Sequence, residues 1–335
     1  MQTIDTHTHY IPAQARQILA KAGKSSGGRR LATLVSLPDS SPMFAIEERL
    51  SNMDRLGIDV EVVSPAPLDV LEDQGLALDL IRASNDGLLE LCASEPDRFV
   101  MLASLPMPNA EACLAELDRI ATEPALRGIT FPSQATLHRP DQLGIEPLLT
   151  RAASLGLPLL LHPSGSSTDF GTAFDDFGLG LSFHAMISGP VVILRMIAAG
   201  IFDRIPGLEV IVPMFGGVLP YVAFRQDGRL KGKMERSPTE YLRTSIFFDT
   251  SGFPAGPTYR CAIETVGASR MLLGSDYPSW DMDFVLTALD EMDLGPVDRE
   301  AILGHNASRW FDPKHSRKDQ GVLTGPVGAG RSAAR

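Results

Sequence analysis

Two imidazoles stand close together near the start of the chain, in the segment Asp5-Thr6-His7-Thr8-His9. On an extended strand, side chains two residues apart point to the same face, so His7 and His9 would project together. Neutral imidazole is a common ligand of divalent metals, and this spacing suits two ligands on one ion. Asp5 shares the same face and is expected to orient a ligand from behind. The alternative is a polar strand start whose histidines form ordinary hydrogen bonds.

Two further candidate ligands close apolar segments. His162 follows Leu159-Leu160-Leu161, and Asp276 follows Leu272-Leu273-Gly274-Ser275. Taken singly, His162 could be a core histidine bonded to a carbonyl, and Asp276 could cap a helix. Together with His7 and His9 they form a set of three histidines and one carboxylate, which suits Zn²⁺, with Mn²⁺ as the alternative. Asp276 is also a candidate to take a proton from a metal-bound water.

Short apolar runs alternate with amphipathic stretches of helical length along the 335 residues, which is typical of repeated βα units. The predicted strands are residues 2–7, 60–64, 99–104, 128–131, 158–162, 208–213, 246–249 and 271–274. We therefore predict an α/β fold, a single-domain (β/α)8 TIM barrel with small insertions over residues 1–312. The candidate ligands would then lie at the carboxyl ends of strands one, five and eight, where active sites of such barrels lie. A doubly wound open sheet is the alternative.

Three segments do not fit the βα pattern. Residues 22–30 are rich in Gly, Ser and Lys and are predicted to form a surface loop, and residues 164–180 could form a lid after the fifth strand. Residues 313–335 are predicted to be a flexible tail.

The amino-acid composition argues against nucleic-acid-binding, membrane-spanning and disulfide-rich classes of protein. The apolar fraction of 44% can bury a large core, and the net charge of −11 makes nucleic acid an unexpected partner. The apolar runs are too short to span a membrane, and the first residues do not resemble a signal peptide. The cysteines form no metal or disulfide pattern and are predicted to be reduced thiols of a cytoplasmic protein: Cys92, Cys113 and Cys261.

The chain resembles the amidohydrolase superfamily and, more narrowly, its aminocarboxymuconate-semialdehyde decarboxylase branch. The resemblance covers residues 2–311. Its marks are the Asp5-to-His9 motif, Arg49-Leu50-Ser51-Asn52-Met53-Asp54 with Gly57-Ile58-Asp59, Leu161-His162-Pro163, Gly200-Ile201-Phe202 with Pro206, Gly216-Gly217-Val218-Leu219-Pro220, Gly274-Ser275-Asp276-Tyr277-Pro278, and Asn306-Ala307 with Arg309.

The resemblance implies roles for individual residues. It implies that the metal is held by His7, His9, His162 and Asp276, with a bound water completing the site. It suggests that Arg49 grips a substrate carboxylate, since its planar fork suits that group, whereas the alternative is a solvated helix residue. A homodimer is common among relatives of this kind.

One position departs from the branch. A histidine that moves a proton normally ends the sixth strand, but here Met214 stands in that place, and a thioether cannot carry a proton. His184, in the region that lines the substrate pocket in relatives, is our candidate replacement, although an exposed loop histidine is an equal interpretation. Asp276 could otherwise act as both ligand and base.

Three functions remain in competition. The first is a metal-dependent non-oxidative decarboxylase of a small aromatic or unsaturated carboxylic acid. The second is a metal-dependent hydrolase of a lactone, ester or amide, for which a missing histidine matters less. The third is a binding scaffold without catalysis. Candidates for apolar pocket walls, with core packing as the alternative for each, are Phe183, Phe215, Tyr221 and Trp280.

Overall fold

The computed structural model describes residues 1–22, 34, 36–66, 74–133, 144–163, 174, 177–252 and 256–315. The predicted loop at 22–30, the predicted lid at 164–180 and the predicted tail at 313–335 lie largely outside the described residues.

Eight parallel strands form a barrel, and each strand pairs with the next one along the chain. The strands are β1 Ile4–His9, β2 Val60–Ser64, β3 Phe99–Ala103, β4 Leu126–Pro132, β5 Leu159–His162, β6 Val210–Val212, β7 Ile246–Asp249 and β8 Met271–Leu272. The last strand returns to the first, because the Thr6 amide donates to the Leu273 carbonyl at 2.8 Å and Thr8 bridges to Tyr277. The (β/α)8 barrel is therefore confirmed. The doubly wound sheet is wrong, since the strand order never reverses.

Helices surround the barrel. Within the described residues they are α1 Ala13–Ala22, α2 Ile46–Leu56, α3 Gln74–Ser94, α4 Ala110–Ile120, α5 Glu146–Ser154, α6 Ala185–Ala198, α7 Ile201–Arg204, α8 Leu219–Leu230, α9 Pro238–Thr244, α10 Gly256–Val266, α11 Met282–Asp290, α12 Pro296–Glu300 and α13 Asn306–Phe311. Two π-helical turns precede α6 and α13, at Gly180–His184 and Ala301–His305. Among these described helices, none combines the length and the apolar character needed to cross a membrane.

The strands are apolar on both faces because each face packs against a different layer. Leu160, Ile211 and Phe247 belong to a cluster inside the barrel, whereas the neighbouring residues of the same strands face the helices. Since side chains two apart share a face, the residue two positions after Leu160 also points inward. That residue is His162, at the open end of the barrel.

Six of the eight strands differ from their predicted bounds by one or two residues. β1 extends to His9 rather than residue 7, because His9 pairs with Ser64 and the whole strand is buried. α6 begins at Ala185 and contains Pro190, a residue that lacks a helical donor. The helix continues through Pro190 because the carbonyl of Met186, four residues earlier, accepts instead from the Val218 amide at 3.1 Å.

Candidate metal centre

Four side chains from three parts of the barrel converge at its open end. They are His7 and His9 of β1, His162 of β5 and Asp276 just after β8, and their candidate ligand atoms all lie within 4.8 Å of one another. His9 Nε2 lies 3.1 Å from His162 Nε2 and 3.0 Å from Asp276 Oδ1. His7 Nε2 lies 3.9 Å from the same Asp276 oxygen. The structure thus brings together the residues that the sequence singled out.

Hydrogen bonds behind the imidazoles set the direction of their lone pairs. His7 Nδ1 lies 2.9 Å from the Asp249 carboxylate, and His9 Nδ1 lies 3.0 Å from the Ser64 hydroxyl. That hydroxyl also donates to the Thr8 carbonyl at 3.0 Å, so it accepts the Nδ1 proton of His9. Both rings therefore present an unprotonated Nε2 to the centre when they are neutral.

This arrangement fits a divalent ion. Two ligands about 2.1 Å from a tetrahedral ion lie about 3.4 Å apart, close to the separations of the Nε2 and Oδ1 atoms. His7 Nε2 is buried and has no hydrogen-bond partner among the described residues, which is costly unless a cation accepts its lone pair. The three histidines are at most 8% exposed, whereas the Asp276 side chain is 25% exposed. The site is thus open on the side of Asp276.

Asp5 ties the first strand to the segment that carries Asp276. It accepts from the Ser275 amide at 3.0 Å, the Ser275 hydroxyl at 2.6 Å and the His7 amide at 3.2 Å. The Asp276 amide in turn donates to the His7 carbonyl at 2.8 Å, with Asp276 at a φ of +63°. Asp5 therefore fixes the backbone at His7 and next to Asp276, two of the candidate ligands.

Two buried groups of the metal-free centre have raised pKa values. Burial and the charge of Glu61 raise the pKa of Asp5 to about 8. Burial by itself would lower the pKa of His7, but Asp249, Asp276 and Asp5 outweigh it and raise that pKa to about 9. Without a metal, both groups therefore favour their protonated forms at neutral pH, and a metal bound to His7 would displace its proton.

We expect the metal-free protein to lose stability as the pH rises from about 6.5 to 9. Over that range the folded chain holds protons on His7 and Asp5 that the unfolded chain has released, so the free energy of unfolding falls with pH. The His7 contribution is at most about 3 kcal/mol. Denaturant unfolding in a chelating buffer measures it, and the metal-loaded protein is the control. A free energy of unfolding that rises across this range would contradict the assignment.

Arg49 lies in α2 with its side chain fully buried, so the alternative of a solvated helix residue is wrong. Its guanidinium donates to the Glu61 carboxylate and to the His9 carbonyl. A third acceptor, the Pro42 carbonyl, lies 3.3 Å away. These contacts fix the backbone at the end of β1, where the His9 side chain points toward the centre. A grip on a substrate carboxylate stays a prediction.

Met214 begins a tight turn after β6. Its amide lies 3.3 Å from both the Asp249 carboxylate and the Ser251 hydroxyl, which places it beside the partner of His7. Its side chain is partly buried and packs over Gly252, where a Cβ would lie 2.9 Å from Met214 Cγ. Met214 therefore lies at the open end of the barrel, near the converging histidines.

His184 is fully buried, so its interpretation as an exposed loop histidine is wrong. It ends the π-helical turn before α6, and its ring lies 5.5 Å from that of Phe174. α6 packs against the turn at Met214: a Cβ on Gly217 would lie only 2.2 Å from the Met186 carbonyl oxygen. His184 and Met214 thus belong to adjoining segments.

The aromatic wall candidates separate into different environments. Phe215 is buried in the core, with its ring 4.4 Å from that of Tyr259, so core packing explains it. Phe183 is 52% and Tyr221 84% exposed. Trp280 lines a cavity of about 650 Å³ together with Tyr277.

Three supporting residues were not predicted from the sequence: Asp249, Ser64 and Glu61. Asp249 could have been found, because it closes an apolar strand as Asp276 does and stands two residues after the inward-facing Phe247. Ser64 and Glu61 carry no comparable signal, since a polar residue on an apolar strand has many possible partners.

The chain is similar in sequence to known amidohydrolases and decarboxylases. Residues 4–312 match the family model for amidohydrolases. Gamma-resorcylate decarboxylase of Rhizobium sp. (strain MTP-10005) is 29% identical over 283 residues, covering 79% of this chain and 86% of that protein. The 2-amino-3-carboxymuconate-6-semialdehyde decarboxylase of Dictyostelium discoideum is 25% identical, covering 92% of this chain and 91% of that protein.

Among solved structures, a dihydroxybenzoic acid decarboxylase from Polaromonas sp. JS666 holds manganese and the inhibitor 2-nitroresorcinol. It superposes with a TM-score of 0.81 at 25% identity, covering 94% of this chain and 98% of that chain. The family match spans nearly all of the described barrel, including the four converging side chains. The chain belongs to the amidohydrolase family, and its relatives include metal-dependent decarboxylases.

Proposed function

We propose that this chain is a metal-dependent non-oxidative decarboxylase of a small aromatic or unsaturated carboxylic acid. The observation that carries the proposal is the convergence of His7, His9, His162 and Asp276 at an open barrel mouth. The similarity to resorcylate and aminocarboxymuconate-semialdehyde decarboxylases supports it. A bound divalent ion would act as a Lewis acid on an oxygen of the substrate as its carboxylate leaves.

Zn²⁺ is the ion we expect, with Mn²⁺ as the alternative. Three imidazoles and one carboxylate at near-tetrahedral separations favour Zn²⁺. The manganese in the Polaromonas structure supports the alternative. Metal analysis by mass spectrometry, on protein purified without chelators, distinguishes the two.

Loss of carbon dioxide leaves a carbon that must gain a proton, and this chain offers two candidate carriers. Asp276 is one, because its side chain is partly exposed while its Oδ1 faces the imidazoles. His184 is the other, because it is buried in the π-helical turn before α6, and α6 packs against the turn at Met214. Arg49 would keep His9 in place through its bond to the His9 carbonyl.

Product analysis tests the reaction type. The metal-loaded protein is incubated with a panel of hydroxybenzoates and lactones, and carbon dioxide and product masses are measured. Carbon dioxide release from an acid supports the proposal. A product that has gained water instead would support the second candidate, a hydrolase of a lactone, ester or amide. Met214 favours this candidate, because Met214 cannot carry a proton and hydrolysis does not require protonation of a carbon. Metal binding without turnover would support the scaffold.

His184→Gln is expected to lower kcat by roughly 10²- to 10⁴-fold if His184 carries the proton, because general acid catalysis contributes that much. Metal content should not change. Ser182→Ala is the matched control, since Ser182 lies in the same π-helical turn with an exposed side chain. An unchanged kcat in His184→Gln would assign the proton to Asp276.

We also propose a cytoplasmic location and a homodimer. The three cysteines are free thiols, which supports a reducing compartment. Size measurement in solution tests the dimer.

A further inference from the structure

The Asp249 carboxylate faces two different parts of the site. Asp249 ends β7 and is fully buried. Its Oδ2 lies 2.9 Å from His7 Nδ1. Its Oδ1 accepts from the Ser251 amide at 2.9 Å, from the Ser251 hydroxyl at 2.5 Å and from the Met214 amide at 3.3 Å. One oxygen is therefore committed to a candidate metal ligand, and the other to the loop after β6.

That loop is a tight turn in which four consecutive residues have positive φ angles. The φ angles are +55° at Met214, +57° at Phe215, +77° at Gly216 and +56° at Gly217. Side chains other than glycine rarely adopt this region, so the first two positions are strained. At the third position only glycine fits, because a Cβ on Gly216 would lie 2.4 Å from the Phe248 ring. Such strain persists only where neighbouring contacts hold it.

Contacts hold the turn at both ends. The Asp249 carboxylate and the Ser251 hydroxyl, which itself donates to Asp249, accept from the Met214 amide at the start. The Met186 carbonyl accepts from the Val218 amide just after the end. The Met186 carbonyl is available because Pro190 has no amide hydrogen to occupy it. Since Asp249 also contacts His7, the start of the turn and a candidate metal ligand share one anchor.

We propose that Asp249 is a positioning residue with two separable roles. Its Oδ2 keeps the proton of His7 on Nδ1, so that Nε2 is free to bind metal. Its Oδ1 holds Met214 in the left-handed conformation that places this side chain at the open end of the barrel. The first role rests on the proposed metal-dependent function; the second depends on the fold alone.

An asparagine at position 249 separates the two roles. Its amide oxygen is expected to stay with the three donors from Ser251 and Met214, because an NH₂ group cannot accept them. The NH₂ group then faces His7 and donates to Nδ1, which moves the ring proton to Nε2 and blocks the ligand atom. Alanine removes both interactions at once. The three side chains at position 249 therefore predict three different results.

The experiment measures zinc affinity and the hydrogen exchange of the Met214 amide in the full chain. Zn²⁺ alone is titrated against a chromophoric chelator. Asp249→Asn is expected to bind Zn²⁺ roughly 10- to 100-fold more weakly than the unmodified protein, with Met214 amide exchange unchanged. Asp249→Ala should show the same loss and an exchange about tenfold faster. Asp227→Asn is the matched control, because Asp227 accepts from the Thr239 amide on the outer helices.

The outcomes distinguish this inference from the proposed function. If the unmodified protein binds Zn²⁺ and Asp249→Asn binds it equally well, the role toward His7 is overturned while the metal site stands. If Met214 amide exchange in Asp249→Ala matches that of the unmodified protein, the role toward the turn is overturned. If the unmodified protein binds neither Zn²⁺ nor Mn²⁺, the proposed function fails, and the role toward His7 fails with it.

Discussion

Replacing His162 with alanine is expected to remove the bound metal and to lower kcat/KM by roughly 10³-fold or more. A Lewis acid supplies several kcal/mol of transition-state stabilisation, and each 1.36 kcal/mol corresponds to a tenfold change in rate. Of the four candidate ligands, His162 alone comes from β5, so its replacement leaves the metal without a ligand on that side of the barrel. Metal content by mass spectrometry and the rate of carbon dioxide release are measured on the same sample.

The control for this variant is His305→Ala. His305 is exposed at the end of the second π-helical turn and lies outside the converging set. Its replacement should leave metal content unchanged. One metal per chain retained in His162→Ala would contradict the site, and no metal in the unmodified protein after reconstitution would move the interpretation to a binding scaffold.

Replacing Met214 with histidine is expected to raise kcat by roughly 10²-fold or more. General acid catalysis contributes about 10²- to 10⁴-fold, and a thioether cannot provide it. Histidine is among the residues that tolerate a left-handed φ best, so the +55° at this position is compatible with the change. The Met214 amide would keep its contacts with Asp249 and Ser251. Carbon dioxide release is the measurement.

Met214→Leu is the matched control, because it keeps the apolar volume without adding a proton carrier. It should show the activity of the unmodified protein to within a few fold. If Met214→His gains nothing while its metal content is normal, the proton reaches the substrate by another route. Comparison with His184→Gln then shows whether that route includes His184.

Much of the barrel could be predicted from the order of residues because its signals are local. The apolar runs at 60–64 and 246–249 coincide with β2 and β7. A histidine or carboxylate at the end of such a run stands out against the apolar pattern, which is why His162 and Asp276 could be predicted to lie near His7 and His9. Gly57 ends α2 in a left-handed conformation, which glycine adopts without a steric penalty.

Other features depend on contacts between distant parts of the chain. Asp249 lies 242 residues from His7 in sequence, and no local spacing relates the two. The sequence left Arg49 equally open to a surface position and a substrate grip. Its burial against Glu61 and the His9 carbonyl required the packing of α2 on β1 and β2.

The left-handed backbone at Met214 is unfavourable for methionine in isolation. It exists because Asp249, Phe248 and Met186 surround the turn, and these residues meet only when the barrel closes.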